Sequence, residues 1–248
     1  MTAVSWWIAE TNAVCRDEAL ARDHQIPVRR TPPSAGLYLA RDQGRLGLHR
    51  ADGPRTYPLI CDLAAVAADR AAGARHSPLA KACGLTRPTA MHVCDATAGL
   101  GRDSVMLAWL GASVTPLERH PVIYLLLHDA WQRLHAGSSC LEWIARLGAP
   151  QSVDAGRWLA DRSATPIHTI YMDPMFAATR RKAQPQKALA WLSELAGPDM
   201  DADDLLAAAR RTAAKRVVVK QHARAAPLAP PSHQIKAKAV RFDVYLAG

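Results

Sequence analysis

The stretch His92-Val93-Cys94-Asp95-Ala96-Thr97-Ala98-Gly99-Leu100-Gly101-Arg102-Asp103 constrains this chain more than any other. An apolar run leads into an acid, two glycines follow, and a helical pattern begins behind them. That order predicts a buried strand ending at Asp95, a tight turn, and the first turn of a helix. Gly99 and Gly101 let a backbone approach a ligand where a Cβ would clash. The helix behind them offers unpaired N–H groups and the positive end of its dipole. A turn of this kind holds a nucleotide-like cofactor at the mouth of an α/β sheet. Asp95, Gly99 and Gly101 are therefore candidate cofactor residues.

The remainder of the chain supports such a sheet. Strands are predicted over 90–95, 112–117 and 167–172, with a compact apolar strand at Arg216-Val217-Val218-Val219-Lys220. Helices are predicted between them, over 101–110, 121–135, 139–147, 186–195 and 203–213. Alternation of this kind implies an α/β fold with a mostly parallel sheet and helices on both faces. Two last strands, near 233–238 and 239–247, add an antiparallel edge. Residues 1–58 read differently: Pro and Gly are frequent, and short apolar pieces such as Gly36-Leu37-Tyr38-Leu39-Ala40 and Leu46-Gly47-Leu48-His49 alternate with charge. They are expected to form a small β-containing N-terminal subdomain. Residues 59–248 are expected to form the main domain, opening with a helix over 59–74.

Three further positions carry chemistry. Glu118 closes the second strand of the main domain, where doubly wound folds place an acid that accepts from the cofactor's ribose hydroxyls. A surface carboxylate beside Arg102 and Arg119 is the plainer reading. Asp173-Pro174-Met175-Phe176 ends the strand at 167–172. Asp173 and the Pro174 carbonyl, set at a fixed angle by the locked φ of proline, suit the two N–H donors of an exocyclic amine. Phe176 offers a face on which a splayed base can stack. A turn with a core Phe is the alternative. Asp154 reads either as a helix N-cap or as a contact to an adenine amine.

Composition narrows the classes. The chain has 248 residues, 49% of them hydrophobic, enough for one α/β domain with a small appendage. No apolar run reaches the roughly 18 residues of a membrane span, and the first ten residues do not read as a signal peptide. The five cysteines, at 15, 61, 83, 94 and 140, include no C-x-x-C pair. They suggest a reducing cytoplasm rather than a disulfide framework, and no metal site is expected. The formal net charge is +9. From Arg180 onward there are 13 Lys and Arg against six Asp and Glu. Such a balance favours a polyanionic partner such as nucleic acid.

Taken together, these motifs resemble a known family. Ala96-Thr97-Ala98-Gly99-Leu100-Gly101-Arg102-Asp103 is similar to the first motif of class I S-adenosylmethionine-dependent methyltransferases, which have a Rossmann-like sheet. Four later segments are Tyr171 to Phe176, Gly197-Pro198-Asp199-Met200-Asp201-Ala202-Asp203, Lys215 to Lys220, and Arg241-Phe242-Asp243-Val244-Tyr245. With the first motif they resemble the ribosomal RNA small subunit methyltransferase J family, in that family's order. The resemblance implies methylation of a guanosine exocyclic N2 amine in bacterial 16S rRNA, with S-adenosylmethionine as cofactor and the small ribosomal subunit as partner. It also implies that Arg102 and Asp103 lie at the cofactor, that Glu118 binds its ribose with Arg119 alongside, that Asp154 and Ala155 flank its adenine, and that Asp173 sits at the reacting centre. Two other readings compete. A nicotinamide-dependent dehydrogenase would share the turn and Glu118, but Ser104 stands where its third fingerprint glycine belongs. An RNA-binding assembly factor with a degenerate cofactor fold would share the basic charge.

Overall fold

A computed structural model describes this chain except at residues 1–3, 9–13, 53–56, 71–73, 88–89, 138–140, 162–166, 175–186, 198 and 248. The N-terminal part opens with β1 (Ser5–Trp7), α1 (Val14–Asp23), β2 (Val28–Arg29), β3 (Leu37–Asp42), β4 (Arg45–Arg50) and β5 (Leu59–Ile60). Its strands form one five-stranded sheet in the order β2-β1-β3-β4-β5. Strands β3 and β4 are joined by Gln43 and Gly44, both at positive φ (49° and 79°). That backbone twist matches the twist of the strands it joins, and glycine takes it without strain.

Then follow α2 (Leu63–Arg70), a short 3₁₀ turn over 74–76, α3 (Pro78–Cys83), β6 (His92–Asp95), α4 (Arg102–Trp109), β7 (Ser113–Glu118), α5 (Pro121–Gly137), α6 (Glu142–Arg146), β8 (Gln151–Ser152) and α7 (Ala155–Ala160). The chain ends with β9 (Ile167–Met172), α8 (Lys187–Ala196), α9 (Ala202–Thr212), β10 (Ala213–His222), β11 (His233–Lys236) and β12 (Val240–Leu246). A seven-stranded sheet runs β11-β12-β10-β9-β6-β7-β8. It is parallel from β10 to β8, with β12 and β11 antiparallel at one edge. The chain moves outward from β6 to β8, then crosses to the other side of β6 as β9. The reversal leaves a crevice at the carboxyl ends of β6 and β9, where open α/β sheets bind ligands.

Successive strand residues point to opposite faces, and here both faces are covered. Val93, Tyr171, Val218 and Val244 belong to a core shared with the N-terminal sheet and with α3, α4 and α5. Their neighbours Cys94, Ile170, Val217 and Tyr245 belong to a second core, with Leu159 of α7 and Leu206 and Ala209 of α9. The first core is continuous from Trp6, Leu39 and Leu48 to Leu107 and Leu126.

The structure departs from the expectations in two places. Leu59 and Ile60 are not helical: they pair with Leu48 and Gly47 as the last strand of the N-terminal sheet, and the helix starts at Leu63. Residues 14–23, for which no element is predicted, form α1. Among its residues with described side chains, only Asp17 and Ala21 are buried, so no apolar periodicity announces it. A polar network holds it instead. Arg41 on β3 donates to Asp17 on α1 (2.7 and 2.8 Å) and to Asp129 on α5 (2.7 Å). Asp129 also accepts from the Leu46 N–H (3.1 Å) and from Arg133 (2.9 Å).

Burial alone would push the Asp129 carboxyl up. The hydrogen bonds from Arg133, Arg41 and Leu46 outweigh that and hold it below the ordinary carboxylate value. The stabilisation is therefore present above the carboxylate range and is lost as pH falls through it. Asp129→Ala would take the only carboxylate from Arg133 among the described residues, one of two from Arg41, and the acceptor of the Leu46 N–H. It is expected to cost about 3 kcal/mol in urea unfolding at pH 7, and the deficit should narrow in acid. A cost below about 0.5 kcal/mol would mean that the network does not join the N-terminal sheet to α5.

Candidate functional site

The turn after β6 is fastened from three sides. The Ala96 N–H donates to the Tyr171 carbonyl on β9, and the Ala98 N–H to the Leu117 carbonyl on β7 (both 2.9 Å). The Gly99 N–H donates to Oε2 of Glu118 (2.9 Å), whose Oε1 accepts from the His120 N–H (2.7 Å). Gly101 sits at φ 74°, and a Cβ built there would lie 2.6 Å from Cδ1 of Leu127 on α5. Its lack of a side chain thus serves both the backbone conformation and helix packing.

This turn lines a cavity of about 1100 Å³ with residues from the carboxyl ends of β6, β7, β9 and β10 and from the segments entering α7 and α9. The described sites expected from the sequence converge here: Asp95, Gly99, Arg102, Asp103, Glu118, Arg119, Asp154, Ala155, Asp173 and Pro174 all line it. Gly101 lies behind the wall, buried against α5. Phe176 and Met175 fall outside the described residues, so the expected stacking face is a matter of sequence alone.

Local geometry refines these assignments. Asp95 is 1% exposed; it accepts from the Ser104 hydroxyl and, at 3.4 Å, from the Thr97 N–H. Burial pushes its carboxyl up to about 7; Ser104 opposes the shift and neighbouring Asp103 adds to it. Glu118 is 8% exposed, so the surface-carboxylate reading fails. Burial raises its carboxyl too, against the His120 and Gly99 N–H groups. Each Glu118 oxygen already holds one N–H and keeps a second acceptor position. Asp154 caps α7 by accepting from the Arg157 N–H (3.0 Å) while also lining the cavity. Arg119 pairs with Asp199 and Asp201 and lies 3.8 Å from Asp154. It thereby links the end of β7 to the segments that open α7 and α9.

Asp173 follows β9, and its N–H donates to the Thr97 hydroxyl (2.6 Å). Its Oδ2 accepts from the ammonium of Lys220 on β10 (2.7 Å), which also donates to Oδ2 of Asp103 on α4 (2.7 Å). The Tyr171 hydroxyl donates to the same Asp103 oxygen (2.6 Å). Lys220, Thr97 and Asp199 were not singled out as site residues from the sequence. The only local signal for Lys220 is a charge at the carboxyl end of a buried Val-Val-Val run.

The cavity's charge is the reverse of the protein's. Its lining holds eight carboxylates (Asp95, Asp103, Glu118, Asp154, Asp173, Asp199, Asp201 and Asp204) against the three cations Arg102, Arg119 and Lys220. Apolar Leu100, Ile123, Val153, Leu192 and Leu205 complete it. Such walls suit a ligand with a cationic group and a flat apolar part. They repel a dinucleotide's pyrophosphate, which counts against the dehydrogenase reading.

Comparison with known proteins agrees. Residues 20–247 match the family model described as "Putative SAM-dependent methyltransferase". The chain is 39% identical over 240 residues to ribosomal RNA small subunit methyltransferase J of Thioalkalivibrio sulfidiphilus, covering 94% of this chain and 93% of that one. It is 38% identical over 220 residues to the protein of the same name from Pseudoalteromonas atlantica, covering 85% of each. A crystal structure of a SAM-dependent methyltransferase from Neisseria gonorrhoeae superposes with a TM-score of 0.74 at 29% identity, over 98% of this chain and 96% of that one.

The raised Asp95 carboxyl has a consequence for stability. Between the ordinary aspartate value near 4 and about 7, the folded state holds a proton that the unfolded state has lost. Stability should fall as pH rises through that window. Asp95→Asn keeps an acceptor for Thr97 and offers a donor to Ser104. Between pH 5 and pH 8 the difference in unfolding free energy is expected to move in the variant's favour by about 1–3 kcal/mol. Parallel curves for the two proteins would show that Asp95 does not titrate in this range.

Proposed function

This chain belongs to the ribosomal RNA small subunit methyltransferase J family of SAM-dependent methyltransferases, and on that premise we propose that it methylates the exocyclic N2 amine of a guanosine in 16S rRNA, in the cytoplasm. The observation that carries this reading is the acidic cavity at the carboxyl ends of β6, β7 and β9, with Asp173-Pro174 on its wall. S-adenosylmethionine, when bound, supplies a methyl group made electrophilic by a sulfonium. The carboxylates around the turn, Asp103 and Glu118 among them, favour its positive charge, and Glu118 keeps acceptor positions for ribose hydroxyls. Asp154 and Ala155 would flank the adenine, Arg119 would lie beside Glu118 at the ribose, and Arg102 would lie at the cofactor.

The task of Asp173 and Pro174 is alignment. The Asp173 carboxylate and the Pro174 carbonyl accept the two N–H groups of the target amine and aim its nitrogen at the methyl. Holding reactants in line is a large part of the barrier in such a transfer. A strong base is not needed, because the amine loses its proton after methylation. Phe176 would stack on the splayed base, a contact worth roughly 1–3 kcal/mol. The basic charge downstream of Arg180 supports an RNA partner.

The direct test supplies labelled S-adenosylmethionine to the purified protein and to 30S subunits lacking the modification, then maps the 16S rRNA by mass. Label in N2-methylguanosine is expected; label in another base would overturn the substrate assignment. Asp173→Ala should lower transfer by about 10²-fold or more while S-adenosylhomocysteine affinity, measured by calorimetry, stays within a few-fold. Normal turnover would remove Asp173 from the reacting centre. Glu118→Ala should weaken that affinity by about 1–3 kcal/mol, and an unchanged value would rule out ribose binding.

A further inference from the structure

The ammonium of Lys220 stands between two carboxylates with different tasks. Asp103 lies in the first turn of α4 and Asp173 directly after β9, which on the proposed reading are the cofactor side and the substrate side of the cavity. Lys220 reaches both at 2.7 Å from the neighbouring strand β10. Its side chain is 24% exposed, that of Asp103 16% and that of Asp173 41%, the last opening into the cavity.

We propose that Lys220 is a positioning residue of the methyl transfer: its ammonium, shared between Asp103 and Asp173, fixes the direction of the Asp173 carboxylate and keeps it an acceptor for the target amine. The inference rests on the reading of Asp173 as that acceptor. The surroundings make the cation necessary. Asp103 from α4, Asp95 from β6, Tyr171 from β9 and Asp199 from the segment before α9 all act on Asp173 or on its immediate neighbours. Each of these groups is anionic or becomes so on losing a proton, and Lys220 is the one cation bonded to Asp173 among the described residues. Desolvation already pushes the Asp173 carboxyl up, and Lys220 pulls it back. Burial would lower the Lys220 ammonium, but Asp103 and Asp173 outweigh it and raise it, so Lys220 stays charged. Without it, two neighbouring carboxylates would face each other with no cation between them, and Asp173 would hold a proton to higher pH. A protonated Asp173 would present a donor where the amine needs an acceptor.

The test has two arms on the full-length protein. In the first, ¹³C NMR follows the aspartate carboxyl carbons of the wild type, K220M, K220R and K220M/D103N against pH, with Asp173 identified by D173N. In K220M, Asp173 is expected to hold its proton to higher pH than in the wild type, and in K220R it is not. In K220M/D103N, where one carboxylate has gone, Asp173 should titrate at lower pH again. In the second arm, methyl transfer to 30S subunits is measured against pH. The acid limb should move up by about one to two pH units in K220M, with rate recovered at high pH, and stay in place in K220R. An unmoved titration in K220M overturns the inference. So does a moved titration with an unmoved acid limb, which would leave Lys220 a structural cation. If the wild type transfers no methyl to the subunit, the substrate assignment falls instead, and the titration alone decides whether Lys220 governs the carboxylate.

Discussion

The hydrogen bond from the Gly99 N–H to Glu118 joins the two halves of the site. A glycine turn after a strand has many conformations open to it, and ligand binding needs one. Here three N–H groups of the turn find fixed acceptors: a β9 carbonyl for Ala96, a β7 carbonyl for Ala98 and a carboxylate for Gly99. Glu118 then reaches the His120 N–H, just before α5. One acid therefore sets the turn, the start of a helix and the acceptor positions facing the cavity. Its burial is costly, and two charge-assisted bonds offset much of that cost.

Much of this was legible in the sequence because the sheet is buried on both faces. Ile167–Met172 and Ser113–Glu118 stand out as short segments of mostly apolar or β-branched residues bounded by turn residues, and they fall where the pattern puts them within a residue or so. The site acids were legible for a related reason: in a parallel sheet, polar residues at the carboxyl ends of such runs have few structural uses. What escaped depends on partners far away in the chain. Helix α1 is held by Asp17 reaching Arg41, and no local periodicity encodes that contact. Strand β8 has two exposed residues and no pattern at all. Lys220 becomes meaningful only when β10 is known to lie beside β9 and β9 beside β6, an order set by crossover connections rather than by any segment's own composition.

Charge is partitioned between the surface and the cavity. A chain with a formal charge of +9 concentrates carboxylates around one concave site. Low-dielectric walls strengthen a local field, so the cavity can attract a cation while the outside attracts a polyanion. The two attractions act on ligands of opposite charge. Arg119 and Lys220 prevent the acidic cluster from repelling itself. Each is bonded to carboxylates from separate elements, so neutralisation also ties those elements together.

The contact behind Gly101 reaches beyond the cofactor turn. Leu127 fills the space that any side chain at Gly101 would need, and Leu63 closes in at 3.1 Å from the other direction. The turn is thus seated directly on the first core, without an intervening layer to absorb movement. Repacking of α2 or α5 would be transmitted to the backbone that faces the ligand, so substitutions at Leu63 and Leu127 belong to the history of the binding site although neither side chain need touch what binds there. These three positions act as one mechanical unit: a side chain at Gly101 would need Leu127 and Leu63 to give way and the backbone to leave its positive φ as well.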